Sequence, residues 1–186
     1  MKLLSAAAVL AVLLAGAAPV ALAQSSNPQF ATYADFQSAT NYTIFNALLR
    51  TTGLLDQLQN SIYNLTIFAP TDDAFQALAT ANQVDLIPML AGSDMTDIFK
   101  YHFISTTTPI SAISFANGQQ LPTWLTEDNQ ALNVSFQGSG PTLNLAVVGG
   151  NPYNVVGFQN YDIGVGQGYI QGINGVLIPP KDFSYT

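Results

Sequence analysis

The stretch from Thr66 to Leu78, TIFAPTDDAFQAL, sets a geometry that the rest of this chain must fit. Thr66, Ile67 and Phe68 form a short β-prone run, and Ala69 with Pro70 then leave the strand, because proline has no amide to give to a ladder. Thr71 follows as a helix N-cap whose hydroxyl can accept from the free amides of the first turn. Asp72 and Asp73 set negative charge against the positive end of the helix dipole. Phe75 and Leu78 recur at i, i+3 and face a core. The stretch predicts a strand-to-helix corner buried on both sides.

Upstream of the corner the apolar period is helical. Thr32 and Asp35 have capping-box spacing, with Phe36 pointing inward. A second helix starts near Thr43, carries Ile44, Phe45, Leu48 and Leu49 on its apolar face, and ends at Gly53; Leu54, Leu55 and Leu58 form a short third turn. These segments read as a helical lid on a sheet. Downstream, Thr80 to Gln83 break the helix, and a loop holds Leu86, Ile87 and Leu90 around Pro88. Ser93 or Asp94 then caps a helix in which Met95, Ile98, Phe99 and His102 share one face. Residues 105–114, STTTPISAIS, read as an exposed connector able to carry O-linked sugar.

From Leu121 the period falls from 3.6 to 2. Leu132, Val134 and Phe136 alternate with polar residues, Gly138 to Pro141 turn the chain, and Leu143, Leu145 and Val147 alternate again, as in a hairpin with one wet face. Gly149 to Pro152 make the next turn. A strand over Tyr153 to Phe158, a loop through Asp162 and Gly168, and a last strand from Tyr169 to Ile178 complete the chain. Helices first and strands later imply α+β rather than alternating βαβ units.

Composition narrows the compartment. Met1 to Ala23 has one basic residue, Lys2, an apolar run and a small-x-small end, the form of a secretory signal peptide. Gln24 to Gln29 is a polar leader, and residues 182–186 are a short tail. Cleavage after Ala23 removes Lys2 from four basic residues that face eleven acidic ones, so the formal charge goes from −7 to −8. Three scattered cations, Arg50, Lys100 and Lys181, offer no counterion-releasing surface, so nucleic acid and anionic membranes are not expected partners. The chain has no cysteine, which removes thiol chemistry and disulfides and leaves the core to hold the fold. A mature chain of roughly 160 residues suffices, since such a domain buries about 70% of its unfolded surface. No apolar tail follows Pro180, so no GPI or other membrane anchor is expected. Asn41, Asn64 and Asn133 lie in glycosylation sequons, whereas Pro28 excludes Asn27.

The corner resembles the first motif of the fasciclin (FAS1) domain family, Thr-Val-Phe-Ala-Pro-Thr-Asp-x-Ala-Phe, with variation only at Ile67 and Asp73. The second motif, Asn-Gly-x-x-His-x-x-Asp-x-Val-Leu-x-Pro, is matched near the C-terminus by Gly168 and by Val176 to Pro180. Gln167 there replaces asparagine, Gln171 histidine and Asn174 aspartate. Between the two motifs stands Tyr101-His102, where the family commonly carries a Tyr-His pair. The resemblance covers residues 30–181. It implies a FAS1-like fold, with antiparallel β-sheets forming a wedge or sandwich packed with N-terminal and central helices.

For function the resemblance implies a secreted, non-catalytic adhesion module that contacts a cell-surface or matrix protein or glycan, in the matrix or cell wall, with no cofactor. In animal relatives Tyr-His and Asp-Ile pairs are linked to integrin binding, which makes Tyr101, His102, Asp162 and Ile163 the candidate binding residues. The residues themselves also admit internal roles: His102 lies on an apolar stripe, Asp162 can cap a turn, and Ile163 can enter the core. Asp72 and Asp73 point about 100° apart in a first helical turn, where the dipole favours both as ions, so they make no acid-base pair. No Gly-x-Ser-x-Gly elbow accompanies the single histidine. Gly164 to Gly168 precedes a strand rather than a helix and is no phosphate loop. A hydrolase would need Asp72, Glu127 and Asp162 to converge. A carrier of a small apolar ligand, the other reading, would need a pocket lined by Trp124, Phe158 or Tyr169.

Overall fold

A computed structural model describes residues 28–60, 65–83, 85, 95–125, 131–136, 143–147 and 155–179. The expected signal peptide, the sequon at Asn64, the loop around Pro88, the capping candidates Ser93 and Asp94, Glu127 and the expected turns at 138–141 and 149–152 lie outside the described residues.

Three helices lead the fold: α1 (Tyr33–Phe36), α2 (Thr43–Thr51) and α3 (Leu54–Asn60). The capping box at α1 is formed, with Asp35 N–H donating to Thr32 Oγ1 at 3.3 Å and Thr32 N–H to Asp35 Oδ2 at 2.9 Å. The α2 helix gives way before Gly53, whose φ of +71° is the left-handed geometry that glycine adopts without a Cβ clash. Strand β2 (Thr66–Pro70) and helix α4 (Asp72–Asn82) make the predicted corner. The strand keeps Pro70, which sits at its last position opposite Ile173, where the missing amide interrupts nothing further along.

Two local expectations are corrected. Thr71 occupies the N-cap position of α4, and its carbonyl accepts from Ala74 N–H at 3.0 Å, but its hydroxyl makes no capping bond. Its backbone N–H is instead tied to Ile173 O at 3.1 Å, which holds the residue as an extension of the sheet with its side chain turned inside. The α4 helix also runs on through Thr80, Ala81 and Asn82. Thr80 Oγ1 donates to Gln76 O and Asn82 Nδ2 to Leu78 O, so these polar side chains bond back onto the helix and it ends only at Gln83, at φ +55°.

Helix α5 (Met95–Tyr101) buries Met95, Ile98 and Phe99. The remaining strands are β1 (Gln29–Phe30), β3 (Phe103–Ile104), β4 (Gln120–Pro122), β5 (Ala131–Phe136), β6 (Leu143–Val147), β7 (Val155–Val165) and β8 (Gly168–Ile173). Their order is β3-β2-β8-β7-β6-β5-β4, with β1 beside the far end of β7. A single bridge, Ile104 to Thr123, links the two ends without closing a barrel. Pairing is antiparallel except at β2–β8 and β1–β7, which are parallel. The parallel pair β2–β8 places the two sequence motifs side by side, Thr66 opposite Tyr169 and Pro70 opposite Ile173.

The expected loop through Asp162 is strand. β7 continues through it, with register shifts between Phe158 and Asn160 and between Asn160 and Ile163. These bulges hide the period of 2 in the sequence. The reversal falls at Gly166–Gln167, and β8 ends at Ile173; Val176 and Leu177 follow as irregular but buried backbone. Gly168 allows the chain to pass Leu65, whose carbonyl oxygen lies 2.6 Å from where a Cβ would stand.

Strands β2 and β8 divide two cores. Ile67, Ala69 and Ile170 face the helices, with Phe36, Phe45, Phe75 and Phe99. Phe68 and Ile173 face the other way, onto Phe115, Leu121, Leu132 and Val134. With period 2, one strand thus serves both layers, and all five residues of β2 are buried.

Candidate functional site

His102 follows α5 and is 1% exposed. Its Nδ1 lies 2.7 Å from Ile98 O, an acceptor, and its Nε2 takes the Leu177 N–H at 3.0 Å. The ring is therefore the neutral Nδ1–H tautomer, donating at one edge and accepting at the other. Burial pushes its pKa down from 6.5 to about 4, opposed only partly by the bond to Ile98. Its backbone carbonyl accepts from Phe68 N–H at 2.9 Å, so this one residue joins α5, the first motif and the second. Both ring nitrogens are committed, which leaves none to serve as a general base. Tyr101 is likewise buried, with burial raising its phenol pKa.

Asp162 stands in β7 at φ +55°, half-buried. Its carboxylate accepts from Ser111 Oγ at 2.7 Å, Ala112 N–H at 2.7 Å and Gln171 Nε2 at 2.8 Å. It thereby caps the 3₁₀ turn Ala112–Ser114. Gln171, fully buried, returns its Oε1 to Asp162 N–H at 2.9 Å and donates through Nε2 to Ile110 O at 3.2 Å. Thr66 Oγ1 accepts from Ile110 N–H at 2.7 Å. Gln171 thus fills the place of the family's histidine with a complete set of bonds. Asn174, at the aspartate position, accepts from Gly157 N–H at 2.9 Å. Ile163, next to Asp162, is buried in the first core.

This network pins down the second half of the connector, which is less exposed than its composition implies: Ile110 and Ser111 are half-buried and Ala112 is buried. The first half stands out. Residues 106–110, with Ser114 and Gln119, line an open groove of about 620 Å³.

The other candidates do not converge. Asp72 turns away from its own helix, taking Thr43 Oγ1 at 2.6 Å, Thr43 N–H at 3.2 Å and Ile44 N–H at 2.8 Å, and so caps α2. Asp73 is exposed. Trp124 stacks on Phe103 at 4.9 Å and packs against the first core, whereas Phe158 packs against the second, so the two do not share a pocket. Of the sequons, Asn41 is exposed, and Asn133 is half-buried in the middle of β5. Among the described residues no three His, Asp or Glu side chains are grouped to hold a metal, and no helix is long and apolar enough to cross a membrane. Sequence reasoning missed Ser111, Ala112 and Gln171 as partners of Asp162, and Thr66 as the acceptor of Ile110 N–H, because β7's bulges and the long separations carry no local signal.

The fold is similar to that of a solved FAS1 domain pair from the insect cell adhesion molecule fasciclin I, with a TM-score of 0.63 and 16% identity over 81% of this chain and 51% of that one. The chain thus spans about half the length of that structure. No curated protein sequence matches it significantly. The fasciclin domain model matches residues 40–179, which takes in α2, both motifs and the Tyr101-His102 pair between them. The chain belongs to the fasciclin domain family.

Proposed function

We propose that this protein is a secreted, non-catalytic FAS1 domain that acts in adhesion, contacting a protein or glycan of the cell surface, matrix or cell wall. The observation that carries this reading is the family match over residues 40–179, joined to a fold similar to that of a cell adhesion molecule. Two features support it. The groups best suited to acid-base chemistry, His102 and the carboxylates of Asp72 and Asp162, are taken up by backbone bonds. The leader Met1 to Ala23 supports export.

On this reading Tyr101, His102, Asp162 and Ile163 serve adhesion from within. They shape the surface above them, and the contacts are made by exposed neighbours. Asn41, on the exposed 3₁₀ turn before α2, is the favoured site for N-linked sugar.

The test is binding of the mature protein, with and without enzymatic deglycosylation, to intact cells and to polysaccharide and matrix-protein arrays. Saturable binding on at least one surface is expected. Absence of binding in both forms, together with stabilisation by an apolar compound in a lipid-extract thermal-shift screen, would overturn adhesion in favour of a carrier.

A further inference from the structure

The connector carries four consecutive hydroxyls, Ser105, Thr106, Thr107 and Thr108, followed by Pro109, and the fold treats them unequally. Ser105 is exposed, but its backbone N–H is bonded to Pro122 O at 2.8 Å, which keeps it part of the sheet margin. Thr106 is half-buried, and its Oγ1 is spent on Thr108 O at 2.9 Å. Thr107 and Thr108 are exposed, lie outside helix and strand, and make no side-chain hydrogen bond among the described residues. Beyond them Ile110 is anchored on both sides, its N–H to Thr66 Oγ1 and its carbonyl to Gln171 Nε2. The result is a short exposed loop, fixed at each end, in which the hydroxyls of Thr107 and Thr108 border the groove just before Pro109.

A second observation concerns charge. From Tyr101 to Thr126 the chain has no Asp, Glu, Lys or Arg, although Thr107, Thr108, Ser114, Ala116, Asn117 and Gly118 are all exposed. This segment owes its hydration to neutral hydroxyls and amides. The groove that these threonines line, about 620 Å³, is open, and its other walls, Pro109, Ile110, Ser114 and Gln119, offer a neutral sugar both apolar and polar contact.

We propose that Thr107 and Thr108 are O-glycosylation sites, with the attached sugar lying along this groove; hydroxyl-rich, proline-containing surface segments have the composition of O-glycosylated stalks. The inference rests on the export proposed above. In the transfer, threonine Oγ attacks the anomeric carbon of a sugar activated as a nucleotide or lipid phosphate. The anomeric carbon–oxygen bond to phosphate breaks, the phosphate leaves with the bonding pair, and the hydroxyl proton passes to a base of the transferase. Because the transferase meets the folded loop, Thr106, half-buried and with its Oγ1 bonded to Thr108 O, stays unmodified.

The experiment is site-localising peptide mass spectrometry on the protein recovered from the medium of the cells that make it, alongside the cell-associated fraction. Hexose or N-acetylhexosamine increments on Thr107 and Thr108, lost in the Thr107→Val/Thr108→Val double variant while its melting temperature stays unchanged, are expected. Protein in the medium with residues 105–108 bare, or modified at Ser105 or Thr106 instead, would overturn the proposal and leave export standing. A chain kept in cells with Met1 to Ala23 uncleaved would overturn both.

Discussion

His102 makes the stability of this domain depend on pH in a way that isolates one side chain. Its pKa is about 4 in the fold and 6.5 when exposed, so between these values the unfolded chain binds a proton that the folded one refuses. Stability is then full above pH 6.5, falls as pH drops from 6.5 to 4, and levels off below 4 with respect to this group. A separation of roughly 2.5 units corresponds to about 3 kcal/mol. Physically, charging the ring protonates Nε2, which then no longer accepts the Leu177 N–H, inside a site without solvent. The assay is urea unfolding followed through Trp124, the sole tryptophan, from pH 7.5 to 4. His102→Gln is the reference, since its amide oxygen can still accept from Leu177 and does not titrate. Contributions of the carboxylates cancel in the difference between the two proteins. With a slope of about 1.5 kcal/mol/M, the wild-type midpoint should fall by about 2 M more than that of the variant across this range. Parallel midpoint curves would refute the reasoning, because they would mean that His102 titrates alike in both states.

Further outcomes follow from the same geometry. Asp72→Ala should cost about 1–2 kcal/mol, as the α2 amides of Thr43 and Ile44 lose their acceptor, while Asp73→Ala should change stability by less than about 0.5 kcal/mol; paired urea titrations check both. Gln171→Ala strips donors from Asp162 and Ile110 and an acceptor from Asp162 N–H; a loss of about 1–3 kcal/mol is expected, with faster hydrogen exchange at the Ile110 and Ala112 amides. Gly168→Ala drives a methyl into Leu65 O and should cost about 1–3 kcal/mol, whereas Gly53→Ala meets no atom within 4 Å and should cost about 1 kcal/mol from its left-handed backbone alone; thermal melts compare them.

Much of this fold was legible because its signals are local. The capping box of Thr32 and Asp35, the glycine stop after α2 and the apolar faces of α2 and α5 each lie within a few residues, and each is formed. The corner at Thr66 to Leu78 was legible as an outline, yet its hydroxyl chemistry was not. Whether Thr71 caps depends on Ile173, about a hundred residues away, which the sequence does not place beside it. The same holds for Asp72, whose helix-dipole role was plain but whose carboxylate is claimed by the start of another helix. β7 is the element least legible in the sequence. Two bulges break its alternation, so a strand that carries Asp162 at a positive φ reads as a loop. At the candidate site, the apolar stripe under His102 was legible from helical spacing, whereas the union of Thr66, Asp162 and Gln171 came only with the pairing of β2, β8 and β7.

The two motifs and the histidine between them are parts of one internal assembly, and the proposed adhesion falls to the surface that this assembly supports. The most direct test is a binding isotherm on the cell or matrix surface that retains the mature protein, measured at pH 7.5 for wild type and for His102→Gln, each shown to be folded by circular dichroism. Equal half-saturation for the two proteins is the predicted result, since the ring of His102 reaches no partner. A folded His102→Gln protein that no longer binds would contradict it.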